Sequence, residues 1–185
     1  VRLTPKLVTR TGSDDDWEVL RQIRNSCRAG LTQMTDEVSP EMQRRYRRDY
    51  DADHVRHYLF LKGSTPVGYG RLEERDGYVY PSCGVAEWHR GKGYGWEVVR
   101  LTLLLAGGSM KGELRLSNEV ICKIDFALGW KRVGPPVGDI QPIECAWPPP
   151  FIEYEDREQE VYNEIVRYHE SSSDGTPARD REGDS

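Results

Sequence analysis

The stretch Val85-Ala86-Glu87-Trp88-His89-Arg90-Gly91-Lys92-Gly93-Tyr94-Gly95 constrains this chain more than any other. It sets three glycines within five residues between an apolar run that reads as a strand and the segment Trp96–Ala106, which is apolar on nearly every side, as a buried helix is. Such a chain passes from strand to helix through a turn whose backbone N–H groups can point into one concavity. The positive N-terminal end of the helix then adds to it. The result suits a pyrophosphate, with Arg90 and Lys92 as neighbouring positive charges. Taken alone, the same glycines also fit a tight strand-to-helix connection. Two common phosphate motifs are excluded: no G-K-[S/T] follows a four-residue gap, and the G-x-G-x-x-G spacing is absent.

The flanking sequence predicts a mixed sheet with helices on it, an α/β (α+β) class. Leu3–Thr9 reads as a strand. Ser13–Asp16 offers N-caps for a helix carrying Trp17, Leu20, Ile23 and Arg24, and Ser39-Pro40 opens a second helix to about Tyr50. His57–Lys62, Val67–Glu74 and Tyr78–Ala86 form a meander, with Asp76-Gly77 as its second turn. Pro81 and Gly84 predict a bulge or an interrupted ladder in the last of these strands. A short strand at Leu114 and Leu116, a helix over Glu119–Leu128 and a possible strand at Ile143–Trp147 follow. The spacing also predicts an amphipathic helix near 151–170, opened by Asp156 and Gln159, and a disordered acidic tail over 171–185. The main domain is placed at 1–150.

Composition narrows the class further. The 185 residues are 37% hydrophobic and 31% charged, which suits a soluble globular chain. The longest apolar run, Leu101–Ala106, is far short of the roughly 18 residues that a membrane span needs. Neither a secretory signal pattern nor a C-x-x-C pair is present, so a cytoplasmic protein with reduced cysteines is expected. The net charge of −5 is uneven: residues 153–185 hold 11 acidic and 4 basic side chains, which leaves the body near neutral at +2. Arg44, Arg45, Arg47 and Arg48 cluster on the second predicted helix, but Asp49, Asp51 and Asp53 lie close by. A solvated helix face is therefore preferred to a nucleic-acid surface.

The form R-x-x-G-x-G at Arg90, Gly93 and Gly95 resembles the pyrophosphate motif of the GNAT superfamily of acyl-CoA-dependent N-acyltransferases. Val85 falls on the strand residue that precedes it. A second block agrees in register: Asn118 stands 11 positions before Gly129, like the family's N…G-F element, with Trp130 in place of Phe. The resemblance covers about Leu3 to Gly134. It implies a mostly antiparallel sheet whose fourth and fifth strands splay apart to admit a pantetheine arm. Backbone groups near Val85 and Ala86 would bond the pantetheine amides, and those of Gly91 to Gly95, including Lys92 and Tyr94, would hold the pyrophosphate. The implied reaction is direct attack of a primary amine, carried by a small molecule, amino sugar, amino-nucleoside or protein, on the thioester of acetyl-CoA. The alternative is a GNAT-fold protein that binds acyl-CoA, or regulates, without transfer.

The resemblance leaves the proton chemistry open. The family often places a tyrosine seven positions after the asparagine as general acid for the thiol, and here that position is Asp125. A carboxyl there donates only if burial raises its pKa substantially, and a structural role is the simpler reading. Tyr80 is a second candidate donor. For the base, Glu73 and Glu74 point to opposite faces of one strand, so only one can face the acceptor. Glu87 and His89 flank the phosphate loop, where exposed charge is the simpler reading. In the resembled fold the first two helices and their connection wall the acceptor site, which makes Met34, Thr35, Glu37, Arg44 and Tyr46 candidate substrate neighbours. The terminal helix could pack on the body, pair with a second copy as a homodimer or bind another protein.

Overall fold

The computed structural model describes residues 2–147 and 149. The expected terminal helix and tail lie outside them. Seven strands form one sheet: β1 (Thr4–Val8), β2 (Val55–Lys62), β3 (Thr65–Arg75), β4 (Tyr78–Val85), β5 (Met110–Arg115), β6 (Lys131–Arg132) and β7 (Ile140–Cys145). Their spatial order is β1-β2-β3-β4-β5-β7-β6. Every neighbouring pair is antiparallel except β4 and β5.

Four helices cover the sheet: α1 (Asp14–Ser26), α2 (Pro40–Asp49), α3 (Tyr94–Ala106) and α4 (Glu119–Ala127). Short polar side chains start three of them. Ser13, Ser39 and Asn118 accept from the backbone N–H groups of Asp16, Met42 and Ile121, and so satisfy donors that a first helical turn leaves open. The α1 face buries Trp17, Leu20 and Ile23 against Val55, Leu59, Tyr69 and Ala86 of the sheet. The opposite face takes α3, which comes so close that β3 has glycines beneath it. A Cβ at Gly68 would sit 2.8 Å from the Gly84 carbonyl and 3.0 Å from Val98. Gly68→Ala should therefore destabilise the fold by about 1–3 kcal/mol, read as a lower urea midpoint at unchanged slope, because backbone on one side and a packed helix on the other leave no room.

The register corrects one expectation. β3 and β4 pair without a shift from Gly68↔Val85 to Arg75↔Tyr78, so Pro81 and Gly84 make no bulge there. The irregularity falls instead between Phe60 and Leu61 in β2. Pro81 acts on the other edge of its strand. The Ala86 N–H donates to the Val67 carbonyl, so even positions of β4 turn their backbone groups to β3, and odd positions turn theirs to β5. Val79 N–H donates to the Ser109 carbonyl, and Val79↔Met110 is the single β4–β5 register pair. The next odd residue is Pro81, which has no N–H to continue the ladder. Beyond it the two strands diverge.

Candidate active site

That divergence opens a cavity of about 1370 Å³, lined from both sides of the sheet. It exceeds the roughly 300–1,000 Å³ of a single-ligand pocket. One wall is the turn between β4 and α3. Gly91 and Gly93 adopt φ of 75° and 80°, and a side chain at either would meet nothing within 4 Å on the protein side. No hydrogen bond occupies the N–H groups of Gly91 to Gly95 among the described residues. A left-handed backbone, free donors and a helix N-terminus thus converge on open space, which fits an anionic diphosphate. Gly95 lies closer to the protein, with a Cβ there reaching Ile124 at 3.4 Å.

The charged side chains of this turn are differently placed. Arg90 lines the cavity and donates to the Ser26 carbonyl at the end of α1 (2.8 Å). Lys92 is not on the cavity wall; its Nζ reaches back to the Trp88 carbonyl (3.2 Å). On the adjacent strand, the odd-position rule leaves Cys83 and Val85 with backbone groups turned to the gap, although Cys27 Sγ already donates to the Val85 carbonyl (3.3 Å). Ala86 is fully buried, with its N–H donating to the Val67 carbonyl and its own carbonyl accepting from the His89 N–H.

Asp125 lines the cavity from α4 and is 8% exposed. Burial pushes its carboxyl up to about 7, which brings its protonated form into the neutral range. This is the condition under which a carboxyl can donate a proton. The neighbouring Cys83 thiol is pushed up to about 12, by burial and then by the charge of Asp125, and burial likewise raises Cys27. Neither is a thiolate at neutral pH, so neither supplies a nucleophile. Trp130, the residue in place of Phe, is buried in the same wall with its indole N–H unpartnered among the described residues.

The α1–α2 side of the cavity is built on β2 and β3. Odd positions of β3 face it, so Glu73 lies on this wall, whereas Glu74 turns to the other face and pairs with Arg56 (2.7 Å). Arg71 donates to Glu73 at 2.9 Å. Tyr80, directly across from Glu73 on β4, stands on the same wall, with the Arg75 guanidinium 3.8 Å from its ring centroid. His57, buried between Trp17, Tyr46 and Tyr50, shares a 2.9 Å hydrogen bond between its Nε2 and the Tyr46 hydroxyl. Burial, then the charge of Arg71, pushes this imidazole down to about 3, and it stays neutral.

Of the substrate candidates, Met34 and Tyr46 line the cavity. Thr35 and Arg44 do not: Thr35 is exposed off the wall, and Arg44 borders a separate shallow groove beside Arg47 and Arg48. Glu37 also lies off the wall, paired with Arg28 at 3.3 Å. In the arginine cluster, Arg47 bonds the carbonyls of Arg10 and Gly12 and the Asp14 carboxylate, and Arg48 pairs with Asp49. Half of that patch is structural. His57, Arg71 and Arg75 were not singled out from the sequence. Their available signal was the odd-numbered row Arg71-Glu73-Arg75 on one predicted strand.

Comparison with known proteins agrees with this geometry. The model of the acetyltransferase (GNAT) family matches residues 17–109. The chain belongs to the GNAT family of acyltransferases. No curated protein matches it. Among solved structures, a candidate phosphinothricin N-acetyltransferase superposes with a TM-score of 0.65 at 20% identity, over 78% of this chain and 98% of that one. Spermidine N-acetyltransferase from Vibrio cholerae, in complex with CoA and spermine, superposes with a TM-score of 0.66 at 14% identity, over 78% and 95%. An N-acetyltransferase from Staphylococcus aureus gives 0.63 at 14%, over 79% and 99%. At these identities the likeness is one of fold. Among the described residues no helix is long and apolar enough to cross a membrane.

Proposed function

We propose that this protein transfers the acetyl group of acetyl-CoA to a primary amine by direct attack. The observation that carries the reading is a single cavity that runs through the β4–β5 gap, with the free N–H groups of Gly91 to Gly95 on one wall and Glu73 on another. In that arrangement the turn at Gly91–Gly95 holds the diphosphate, and the open edge at Cys83 and Val85 takes the amide-bearing arm as a strand would. The Glu73 carboxylate accepts the proton of the incoming ammonium, directly or through one water. The amine nitrogen then bonds to the acyl carbon and gives up its second proton to solvent water, the carbon–sulfur bond breaks with its electron pair going to sulfur, and Asp125 protonates that sulfur. Asp125 regains its proton from solvent. The two protonated thiols on this cavity support a route without an acyl-enzyme. A cytoplasmic setting fits the four free cysteines.

The fold neighbours are described as acetyltransferases for amines as different as phosphinothricin and spermidine, which supports amine transfer without choosing the acceptor. The test has two readouts. Acetyl-CoA should raise the melting temperature where an unrelated nucleotide does not, and free thiol should appear on adding amines. A missing shift overturns the acetyl-CoA reading. A shift with no turnover across amino acids, amino sugars, polyamines and peptides leaves a binding protein without transfer, the reading that the Asp125-for-tyrosine exchange would favour.

A further inference from the structure

The acceptor side of the cavity carries its charge in a row. β3 places Arg71, Glu73 and Arg75 at alternate positions, on one face and about 7 Å from one to the next along the strand. All three line the cavity. Arg71 commits a guanidinium N–H to Glu73 at 2.9 Å, while Arg75 has no carboxylate partner among the described residues. Its guanidinium carbon instead lies 3.8 Å from the centroid of the Tyr80 ring, and Tyr80 is the cross-strand partner of Glu73. Glu73, Tyr80 and Arg75 are therefore one cluster, with the acid at its centre and an unneutralised cation at its edge. Arg24, also on the cavity wall, spends its donors on the carbonyls of Met34 and Asp36 and on the Asn25 side chain, and no carboxylate is within ion-pair distance of it among the described residues.

The β5 side is closer to balance: Lys111 pairs with Glu144, Arg115 with Asp139, and Glu113 accepts from the Gln33 amide. An acceptor with several ammonium groups would set its cations against Arg24, Arg71 and Arg75, with Glu73 already shared. An acceptor with an acid group beside its amine meets no such repulsion. We propose, resting on the transfer reading above, that the acceptor is an amine that also bears a carboxylate or phosphinate. Glu73 faces the amine and Arg75 holds the acid. The cation–π contact with Tyr80 restrains the guanidinium beforehand, so less freedom is lost when it forks onto an oxyanion.

The experiment measures kcat/KM for the full chain with acetyl-CoA and three kinds of amine: amino acids and an amino-phosphinate, the same amino acids as amides, and spermidine. The acid-bearing amines should exceed both other groups by ~10- to 100-fold, the effect of one charge-assisted contact. Arg75→Glu should remove that preference and turn it toward spermidine, while the acetyl-CoA melting shift persists and reports an intact fold. Equal rates for acids and their amides, or a wild-type preference for spermidine, overturns the proposal and leaves amine transfer standing. Inactivity with every amine overturns the transfer reading itself, and this proposal with it.

Discussion

Asp125→Asn will make the protein more stable and the enzyme slower. Asparagine keeps the size of the side chain, and the Asp125 carbonyl that accepts from Leu128 and Trp130 belongs to the backbone. Only the ionisable proton changes. Burial raises the folded-state value from 3.8 to about 7. Below pH 3.8 the carboxyl is neutral whether the chain is folded or not, and it costs nothing. As pH rises from there to 7 the unfolded chain ionises first and binds fewer protons than the folded one, so stability falls and then levels off. Above pH 7 the native carboxylate costs up to about 4 kcal/mol. The variant should thus gain stability over the native protein at pH 8 and little at pH 4, measured by denaturant unfolding at the two values. Its transfer rate should drop on the order of 100-fold, and the fall in rate that the native protein shows as pH passes through 7 should vanish. A variant as fast as the native protein, with the same pH profile, would remove Asp125 from the proton path.

Gly93→Val will abolish the melting shift given by acetyl-CoA. The valine has to adopt φ near 80°, and its side chain enters the space that the free N–H groups surround. The backbone strain is about 1–3 kcal/mol, which a folded domain can absorb. Affinity should weaken by on the order of 100-fold, about 3 kcal/mol. Gly63→Val supplies the comparison, since Gly63 has φ of 61°, open space around it and a place in the β2–β3 turn away from the cavity. It should show the strain and keep the shift. If both variants keep it, the diphosphate does not sit on this turn.

The positions that speak in this sequence are those whose physics is local. Ser13, Ser39 and Pro40 mark helix starts because capping involves residues three apart, and Gly93 marks a turn because only its own φ is at stake. Asp76-Gly77 likewise announces the β3–β4 hairpin. The acceptor wall is harder to read, since Tyr46 meets His57 only after α2 has packed over β2, and Arg71 meets Glu73 on a face decided by pairing with two other strands. The protonation of Asp125 depends on how many apolar neighbours exclude water from it, a sum over distant segments. Pro81 is the instructive case. Its missing N–H was visible as an interruption, but whether it breaks the ladder with β3 or with β5 depends on the parity of the register, which one residue of slip would invert.

The edge that Pro81 leaves open behaves as an unsatisfied interior. Cys83 and Val85 keep backbone groups directed into a gap where a sheet would ordinarily place another strand, and an unpaired edge is a template for whatever extended chain can reach it. On the transfer reading proposed above, the arm of the acyl donor would take the place of that missing strand, and its binding would seal an edge that the fold alone leaves unpaired.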